Sequence, residues 1–299
     1  MKTLLFTGAS GFLGSNILPL LRSNYDVDTL ALDETATYNI NLVTDEIHLG
    51  HGYDIVLHAA GKAHVVPRTD AEIKLFYDIN FEGTKKVCAA LEKAGTPKSF
   101  IFISTVAVYG CDFGEMITEE HHLDGQTPYA KSKIMAEEFL ADWCKRNNVI
   151  LTILRPSLLA GKNAPGNLGA MVNGIKTGRY LSIAGGKARK SVLMVDDIAN
   201  LIPLVADKGG IYNVCDSNNP TFRDLEIVIS SQLNKKIPFS VPLWIAKCLA
   251  CIGNLLGAKA PINSLKLRKI TESLTFSNEK AVRELGWNPM DVVENYKIN

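Results

Sequence analysis

The feature that most constrains this chain is a glycine-rich turn close to its N-terminus. A short apolar run at residues 3–6 is followed by glycines at positions 8, 11 and 14, and apolar residues then recur at helical spacing over 12–22. A strand, a tight turn and a helix in this order aim backbone N–H groups and the positive end of the helix dipole at one point, where a pyrophosphate can bind. The spacing therefore predicts a phosphate-binding turn made of Gly8, Ser10, Gly11, Phe12, Leu13 and Gly14.

The next part of the chain alternates between strand-length and helix-length apolar segments. Strands are predicted over residues 27–32, 55–58, 99–104 and 150–154, and long helices over 71–93 and 129–146. Continuously apolar strands separated by helices are typical of a parallel sheet that is covered on both faces. The predicted fold class is therefore α/β, with a doubly wound parallel sheet.

The character of the sequence changes after residue 156. Residues 161–186 are rich in Gly, Asn and Lys, and the region from 220 onwards is rich in helical patterns. We expect residues 1–160 to form a cofactor-binding domain, and residues 161–299 to form mostly a smaller substrate-binding domain. Strands near 191–195 and 211–214 are expected to return to the first domain, so that the two are interleaved.

Charge and cysteine content exclude several classes of function. Lys plus Arg number 32 and Asp plus Glu 31, so neither a nucleic-acid partner nor membrane insertion is expected. The apolar stretch 242–256 is shorter than a membrane span and contains Lys247 and Asn254, which predicts a buried or groove-lining helix. The six cysteines fit no disulfide framework. They also predict no metal site, because Cys248 and Cys251 have no second pair of ligands nearby. These features predict a cytoplasmic protein.

An acidic residue after the second strand bears on the choice of cofactor. Asp33 lies 19 residues beyond Gly14, where a carboxylate can accept hydrogen bonds from an adenosine ribose and repel a 2′-phosphate. Neither Arg nor Lys occurs between Arg22 and Lys62. The pattern favours NAD over NADP, although the adjacent Glu34 could take the same role.

A tyrosine and a lysine four residues apart form the predicted catalytic pair. Tyr129 and Lys133 share one face of the predicted helix. A lysine ammonium beside a phenol favours phenolate and lowers its pKa, so the pair is suited to acid/base chemistry on an alcohol or ketone. Ser104 and Thr105 follow a buried strand at its carboxyl end, where they could hold the substrate oxygen.

These motifs resemble those of the extended short-chain dehydrogenases/reductases, which include the NAD-dependent nucleotide-sugar epimerases and dehydratases. The glycine turn is similar to the cofactor fingerprint of that family, and residues 104–110 and 129–133 are similar to its catalytic segments. Four other segments also match it: 58–61 (HAAG), 80–84 (NFEGT), 195–199 (VDDIA) and 285–289 (LGWNP). The resemblance covers nearly the whole chain and implies a Rossmann domain that binds NAD.

The resemblance also implies roles for individual residues. Tyr129 would be the acid/base, Lys133 would hold the nicotinamide ribose, and Thr105 would hold the reacting hydroxyl beside Ser104. The segment His58, Ala59 and Ala60 would lie along the cofactor together with Asn80, and Asn41 and Leu42 stand where relatives contact adenine. Arg189 and Lys190 stand where relatives often carry an arginine that contacts the substrate diphosphate.

The resemblance leaves the reaction type open between two main alternatives. Dehydratases of this family carry an Asp-Glu pair directly after the catalytic threonine, but Val106 and Ala107 stand here, which argues against dehydration. A nucleotide-sugar 4-epimerase, acting on a UDP-hexose or UDP-N-acetylhexosamine, is the leading hypothesis. Reduction of a 4-keto-6-deoxy nucleotide sugar by NAD(P)H is the alternative, and a non-catalytic NAD-binding scaffold is a weaker one.

Relatives commonly form homodimers through the helices that match 71–93 and 129–146. Met135, Phe139 and Trp143 form a stripe on the second of these helices. The stripe is suited either to such an interface or to the internal core.

Overall fold

A computed structural model describes residues 1–63, 65–255 and 263–298. Leu256, the last residue of the apolar stretch noted above, lies outside the described residues. The strands are β1 Thr3–Thr7, β2 Asp26–Ala31, β3 Tyr38–Asn39, β4 Ile55–His58, β5 Ser99–Ile103, β6 Gly114–Ile117, β7 Ile150–Pro156, β8 Leu158–Ala160, β9 Ser182–Ile183, β10 Val192–Met194, β11 Gly210–Val214, β12 Ser240–Val241 and β13 Leu274–Phe276. The α-helices are α1 Phe12–Arg22, α2 Asp70–Tyr77, α3 Gly83–Ala94, α4 Pro128–Asn147, α5 Gly166–Lys176, α6 Asp197–Val205, α7 Phe222–Gln232, α8 Leu243–Leu255, α9 Ser264–Thr271, α10 Glu279–Leu285 and α11 Val292–Asn295.

The central sheet is parallel throughout, as the sequence predicts. Within the described residues its seven strands run in the order β11-β7-β5-β4-β1-β2-β3. β1 and β4 are direct neighbours. The strands that follow β1 in the chain are added on one side of it, and the strands from β4 onwards are added on the other side. Ligands of open α/β sheets bind at such a switch point, outside the carboxyl ends of the strands. The glycine turn after β1 and the segment after β4 therefore meet at this edge.

The strands are apolar because both faces of the sheet are covered. In β5, Phe100 and Phe102 pack into a core cluster on one face with Trp143 of α4. Ile101 and Ile103 point to the opposite face and pack with residues of α1 and α6. Each fully buried side chain of this kind stabilises the fold by roughly 2 kcal/mol. Burial on both faces removes the alternation of polar and apolar residues that a half-exposed strand would show.

The helix predicted over 71–93 forms with one irregularity. A π-helical turn at Asp78–Glu82 separates α2 from α3. Asn80 lies in this turn and is completely buried. Turns of this type occur frequently at functional sites, since the extra residue redirects a side chain.

The two late strands near 191–195 and 211–214 pair differently. β11 pairs with β7 of the central sheet along its whole length. β10 pairs with β8 in a separate sheet of two strands, and the assignment of both strands to the first domain stays a prediction. The side chains of β10 pack on both sides, Leu193 against the central sheet and Val192 against α5 and α7. The division near residue 160 itself stays a prediction.

The apolar helix α8 is more exposed than the sequence suggested. In the part of the chain that the structure describes, no helix has the length and apolar character needed to cross a membrane. The expectation of a buried or groove-lining helix is wrong for one face: Ala246 and Ala250 are buried, but Trp244 is 69% exposed and Ile252 58%. The reason is that α8 packs mainly against one neighbour, α9, with its small side chains.

Candidate active site

The glycine turn has the geometry of a phosphate cradle. Gly8 has φ +79°, and a Cβ there would lie 2.6 Å from the backbone nitrogen of Ala60. A Cβ on Gly14 would lie 2.3 Å from the carbonyl oxygen of Ala9, so only glycine lets α1 pack this close to β1. Gly11 caps α1 without any side-chain hydrogen bond to the first N–H groups. The first turn therefore offers its donors to an anion, which fits the pyrophosphate of NAD.

Around the turn, the predicted side chains occupy different environments. Phe12 and Leu13 line the cleft beside Gly8 and Gly11. Ser10 is exposed at the tip of the turn.

Asp33 lies two residues beyond the end of β2 and is available to accept hydrogen bonds. Its Oδ1 accepts from the backbone N–H of Thr35 at 2.8 Å and from the Thr35 hydroxyl at 2.6 Å. These two bonds lower the pKa of Asp33 below its ordinary value, so the carboxylate is ionised. Both bonds use the same oxygen, and Oδ2 is the atom that could accept from a ribose. Glu34, the competing residue, is exposed beside it.

The two residues assigned to adenine have local structural partners. Asn41 Oδ1 accepts from the backbone N–H of Val43 at 3.0 Å, and the N–H of Asn41 donates to Asp45 at 2.8 Å. Leu42 is buried and packs against Gly83, where an added Cβ would lie 3.2 Å from its side chain. Asn41 thus stabilises the turn after β3, and its side-chain nitrogen is the group that could reach a base.

His58 is part of the core rather than a cleft side chain. It has no exposed surface, and its ring nitrogens contact the hydroxyls of Thr7 at 2.6 Å and Thr84 at 2.8 Å. Burial, with Lys133 nearby, lowers the pKa of His58 to about 3, so the ring is neutral. Of this segment, Ala59 lines the cleft, while buried Ala60 lies against Gly8. The side chain of His58 therefore supports the segment without facing the cofactor site.

Asn80 holds the loop after β4 against α4. Its Oδ1 accepts from the backbone N–H of Lys62 at 2.7 Å, and its Nδ2 donates to the Lys62 carbonyl and to the Ser132 hydroxyl. A Cβ on Gly61 would lie 3.0 Å from Asn80 Oδ1 and 3.3 Å from Lys133 Nζ. The absence of a side chain at position 61 lets the loop and the catalytic lysine approach each other.

The structure brings the predicted catalytic residues to one cleft. Thr127 caps α4 by accepting from the N–H of Ala130 at 3.1 Å, and this places Tyr129 in the first turn of the helix. Thr105 follows β5 and lies within hydrogen-bonding reach of Tyr129. The Ser104 hydroxyl instead donates to the buried carboxylate of Glu137. Of the two hydroxyls, that of Thr105 is therefore the one that interacts with Tyr129.

The charges of the pair are set by burial. Desolvation raises the pKa of Tyr129, and the hydrogen bond with Thr105 opposes this rise. The expectation that Lys133 lowers that pKa is not met, because desolvation is the larger effect. Lys133 Nζ itself donates to the carbonyl of Ile103 at 2.8 Å. The ammonium also lies 4.5 Å from the centre of the Phe102 ring. Burial lowers the pKa of Lys133 to about 8, against the opposing effect of Glu137.

Glu137 and Arg155 form a buried ion pair that the sequence analysis missed. The Arg155 Nη2 donates to Glu137 Oε2 at 2.6 Å, and both side chains are almost completely buried. Arg155 also donates to the Tyr109 hydroxyl at 3.0 Å. Glu137 lies four residues after Lys133, so an acid at that spacing on a buried helix was the available signal. The pair connects α4 with β7, and Glu137 also holds Ser104 just after the end of β5.

The cleft has a volume of about 480 Å³. None of the described residues that line it is Asp or Glu, and its titratable lining residues are Cys111, Tyr129 and Lys133. Val106 and Ala107 line it next to Thr105. Its far wall comes from β8, the start of α5 and β13. Tyr129 and Lys133, the predicted catalytic pair, are thus two of the three titratable residues that line this cleft.

Arg189 and Lys190 lie beside the cleft and are not part of its lining. Arg189 Nη1 donates to the backbone carbonyls of Asn218 and Asn219 at 3.1 and 3.0 Å. Lys190 Nζ donates to the carbonyl of Glu272 at 3.0 Å, and partial burial lowers its pKa. Lys190 bridges through its backbone to Leu274, a cleft residue. The structure thus leaves their contact with a diphosphate as a prediction.

The described residues contain no cluster of His, Cys, Asp or Glu that could hold a metal ion. The six cysteines, all within the described residues, are free thiols.

Comparison with known proteins places this site in a family. The model of the NAD dependent epimerase/dehydratase family matches residues 4–215. The chain is 31% identical over 295 residues to the N-acetyl-α-D-glucosaminyl-diphospho-ditrans,octacis-undecaprenol 4-epimerase of Escherichia coli O157:H7, covering 92% of this chain and 87% of that one. It is 25% identical to a UDP-glucose 4-epimerase of Vibrio cholerae, covering 98% and 92%. A Thermotoga maritima UDP-glucose 4-epimerase solved with UDP-glucose has the same fold, with a TM-score of 0.75, 21% identity and coverage of 98% and 95%. The protein belongs to the NAD-dependent epimerase/dehydratase family.

Proposed function

We propose that this protein is an NAD-dependent 4-epimerase of a nucleotide sugar, a UDP-hexose or a UDP-N-acetylhexosamine. The observation that carries the proposal is the meeting of Tyr129, Thr105 and Lys133 on one cleft at the carboxyl edge of the sheet. The similarity to the E. coli and V. cholerae epimerases supports it. The sugar of the E. coli relative is carried on a polyprenol diphosphate, so the shared requirement is a sugar linked to a diphosphate.

Each of the three residues has a distinct part in this chemistry. Tyr129 acts as phenolate when it takes the proton of the sugar C4 hydroxyl during oxidation, and the phenol formed in this way returns the proton to the C4 oxygen during reduction. The Thr105 hydroxyl holds that oxygen by a hydrogen bond. Lys133 brings a positive charge to the cleft as phenolate forms. NAD bound along the glycine turn supplies the redox chemistry that converts the C4 alcohol to a ketone and back.

The lining of the cleft supports epimerisation over dehydration. Elimination of water needs a proton donor and acceptor in addition to the tyrosine. Val106 and Ala107 supply neither, and the described cleft lining contains no carboxylate in their place. A reaction that begins and ends with an alcohol needs only Tyr129, because the proton is restored in the second half of the cycle.

The test is incubation of the protein and NAD with UDP-glucose, UDP-N-acetylglucosamine and N-acetylglucosaminyl-diphospho-undecaprenol, without a reductant. The expected product is the C4 epimer of at least one of them. Tyr129→Phe is expected to abolish turnover and to keep NAD affinity nearly unchanged, which also separates an enzyme from a non-catalytic NAD-binding scaffold. Stoichiometric loss of NAD(P)H absorbance with a 4-keto-6-deoxy nucleotide sugar, with no epimer formed, would overturn the proposal in favour of reduction.

We also propose that the protein is a homodimer through α2–α3 and α4. Trp143 belongs to the core, where its indole N–H donates to Glu92 at 2.7 Å. Met135, however, is 36% exposed, and Phe139 is half-buried against Phe81. Light scattering should give the mass of a dimer, and Met135→Glu should reduce it to that of the monomer; an unchanged mass would place the interface elsewhere.

The six free thiols support the proposal that the protein works in the reducing cytoplasm.

A further inference from the structure

Helix α8 has its small side chains inside and its large apolar side chains outside. Ala246 and Ala250, each 1% exposed, pack on Leu267 of α9. The opposite face carries Trp244, 69% exposed, and Ile252, 58% exposed. We call this face, Trp244, Cys248, Cys251 and Ile252, the outer face of α8. A helix that contributed only to its own core would have the opposite arrangement.

Further apolar side chains surround the start of α8. Phe239 is 75% exposed and Leu181 59%. They are adjacent across the junction of β12 and β9, where the N–H of Ser182 donates to the carbonyl of Phe239 at 3.1 Å. Leu249 adds a side chain on α8 that is 49% exposed. Exposed large apolar side chains that are concentrated in one region of the surface indicate a binding site for an apolar partner.

The sequence segment that contains α8 and α9 carries charged residues of a single sign. Between Glu226 and Glu272 the sequence contains seven Lys or Arg and no Asp or Glu, although the whole chain is nearly neutral. Arg268 and Lys269 of α9 pair with carboxylates. Lys235, Lys236 and Lys247 are exposed and form no ion pair with any described residue. An apolar helix face in a segment that is rich in unpaired lysines is the pattern of a helix that lies in an anionic lipid interface.

We propose that the outer face of α8 docks the protein on an anionic phospholipid bilayer, with the helix in the plane of the interface and not across it. A second copy of the chain fits this surface less well, since a symmetric contact would bring its uncompensated lysines together. Tryptophan is suited to the boundary because its ring is apolar and its N–H is polar. α9 leads directly into β13, which lines the cleft. The proposal does not depend on which reaction the cleft performs.

The intrinsic fluorescence of Trp244 provides a direct test. Trp143 and Trp287 are 2% and 3% exposed, so a change in solvent exposure will be reported mainly by Trp244. Full-length protein mixed with vesicles of phosphatidylglycerol and phosphatidylcholine should show a blue-shifted emission and should co-sediment with them. Pure phosphatidylcholine vesicles, and high salt, should weaken both signals. Absence of co-sedimentation with the anionic vesicles at low salt would overturn the proposal.

Variants assign the binding to the outer face of α8. Trp244→Ser/Ile252→Ser should weaken vesicle binding at least about tenfold, because two apolar side chains lose their burial. The matched control is Ile227→Ser/Val282→Ser, which removes side chains 43% and 39% exposed on α7 and α10 and should leave binding unchanged. Trp244→Phe should abolish the fluorescence shift and keep co-sedimentation.

The lysines are tested separately from the apolar face. Lys235→Gln, Lys236→Gln and Lys247→Gln should each weaken binding to anionic vesicles about fivefold. All variants should keep the native circular dichroism and their activity on a water-soluble substrate. Equal vesicle binding by the double serine variant and its control would refute the proposal. It would also be refuted if the native protein bound no vesicles and the double serine variant instead dissociated a dimer, because the outer face of α8 would then be a contact between two copies of the chain.

Discussion

Lys133 allows a sharp test of how burial sets the electrostatics of the cleft. The residue is 4% exposed, and its pKa is about 8 instead of the ordinary 10.5. Each pH unit of difference corresponds to about 1.4 kcal/mol, so burial disfavours the charged folded form by about 3 kcal/mol. The folded protein therefore releases the Lys133 proton at a lower pH than the unfolded chain does.

The free energy of unfolding depends on pH because the folded and unfolded states bind different numbers of protons. Below about pH 8 the lysine is charged in both states, and the full cost of burying the charge is present. Between about pH 8 and 10.5 the unfolded chain binds more protons than the folded protein, so the free energy of unfolding rises with pH. Relative to Lys133→Met, which lacks this proton, the native protein should gain about 3 kcal/mol between about pH 7 and 10.5.

Urea denaturation followed by circular dichroism, at several pH values for both proteins, measures this difference. Groups other than Lys133 titrate in both proteins and cancel in the comparison. Lys131→Met, on the exposed side of the same helix, is the matched control and should differ from the native protein by a constant amount. A native-minus-Lys133→Met difference that is also constant with pH would refute the assignment of a lowered pKa to Lys133.

Other predictions concern the Glu137–Arg155 ion pair, the glycine turn and the carboxylate of Asp33. Glu137→Gln leaves the buried guanidinium of Arg155 without its counter-charge, and urea denaturation should show a loss of about 3–5 kcal/mol, whereas an unchanged midpoint would argue against the buried pair. Gly8→Ala places a Cβ 2.6 Å from the nitrogen of Ala60 at φ +79°, so calorimetric NAD affinity should fall at least about tenfold, and equal affinity would contradict the cradle. Asp33→Asn removes the carboxylate charge that we propose faces the adenosine ribose, so the ratio of NADP to NAD dissociation constants should fall about tenfold; an unchanged ratio would assign the discrimination elsewhere.

Much of the fold was predictable because its signals are local. The helix Phe12–Arg22 and the strand Ile55–His58 form over the predicted residues, since apolar periodicity depends only on neighbouring positions. The glycines at 8, 11 and 14 indicate the turn for a similar reason, because tight backbone geometry limits which residues fit. The pairing of β10 was not predictable in this way. A three-residue apolar strand has the same sequence pattern in the central sheet and in a separate two-stranded sheet. Which strand it pairs with is therefore decided by the elements packed around it.

The candidate site was predictable in its residues and less so in its electrostatics. Thr105, Tyr129 and Lys133 lie on one cleft as expected. The pKa of Tyr129 rises, whereas the sequence predicted a fall, because desolvation depends on how completely the fold covers the ring. His58 ends a strand as expected, but its ring is held by Thr7 and Thr84, which are distant in sequence.

Local sequence patterns are enough to predict the glycine turn, the parallel α/β architecture and the four-residue spacing of Tyr129 and Lys133. Each of these depends on residues close together in the chain, where backbone geometry and side-chain periodicity act directly. The tertiary structure decided the partners: Glu137 with Arg155, Lys133 with the carbonyl of Ile103, and the outward direction of Trp244. Burial and charge pairing are properties of the whole packed chain, because desolvation sums over every element that surrounds a group.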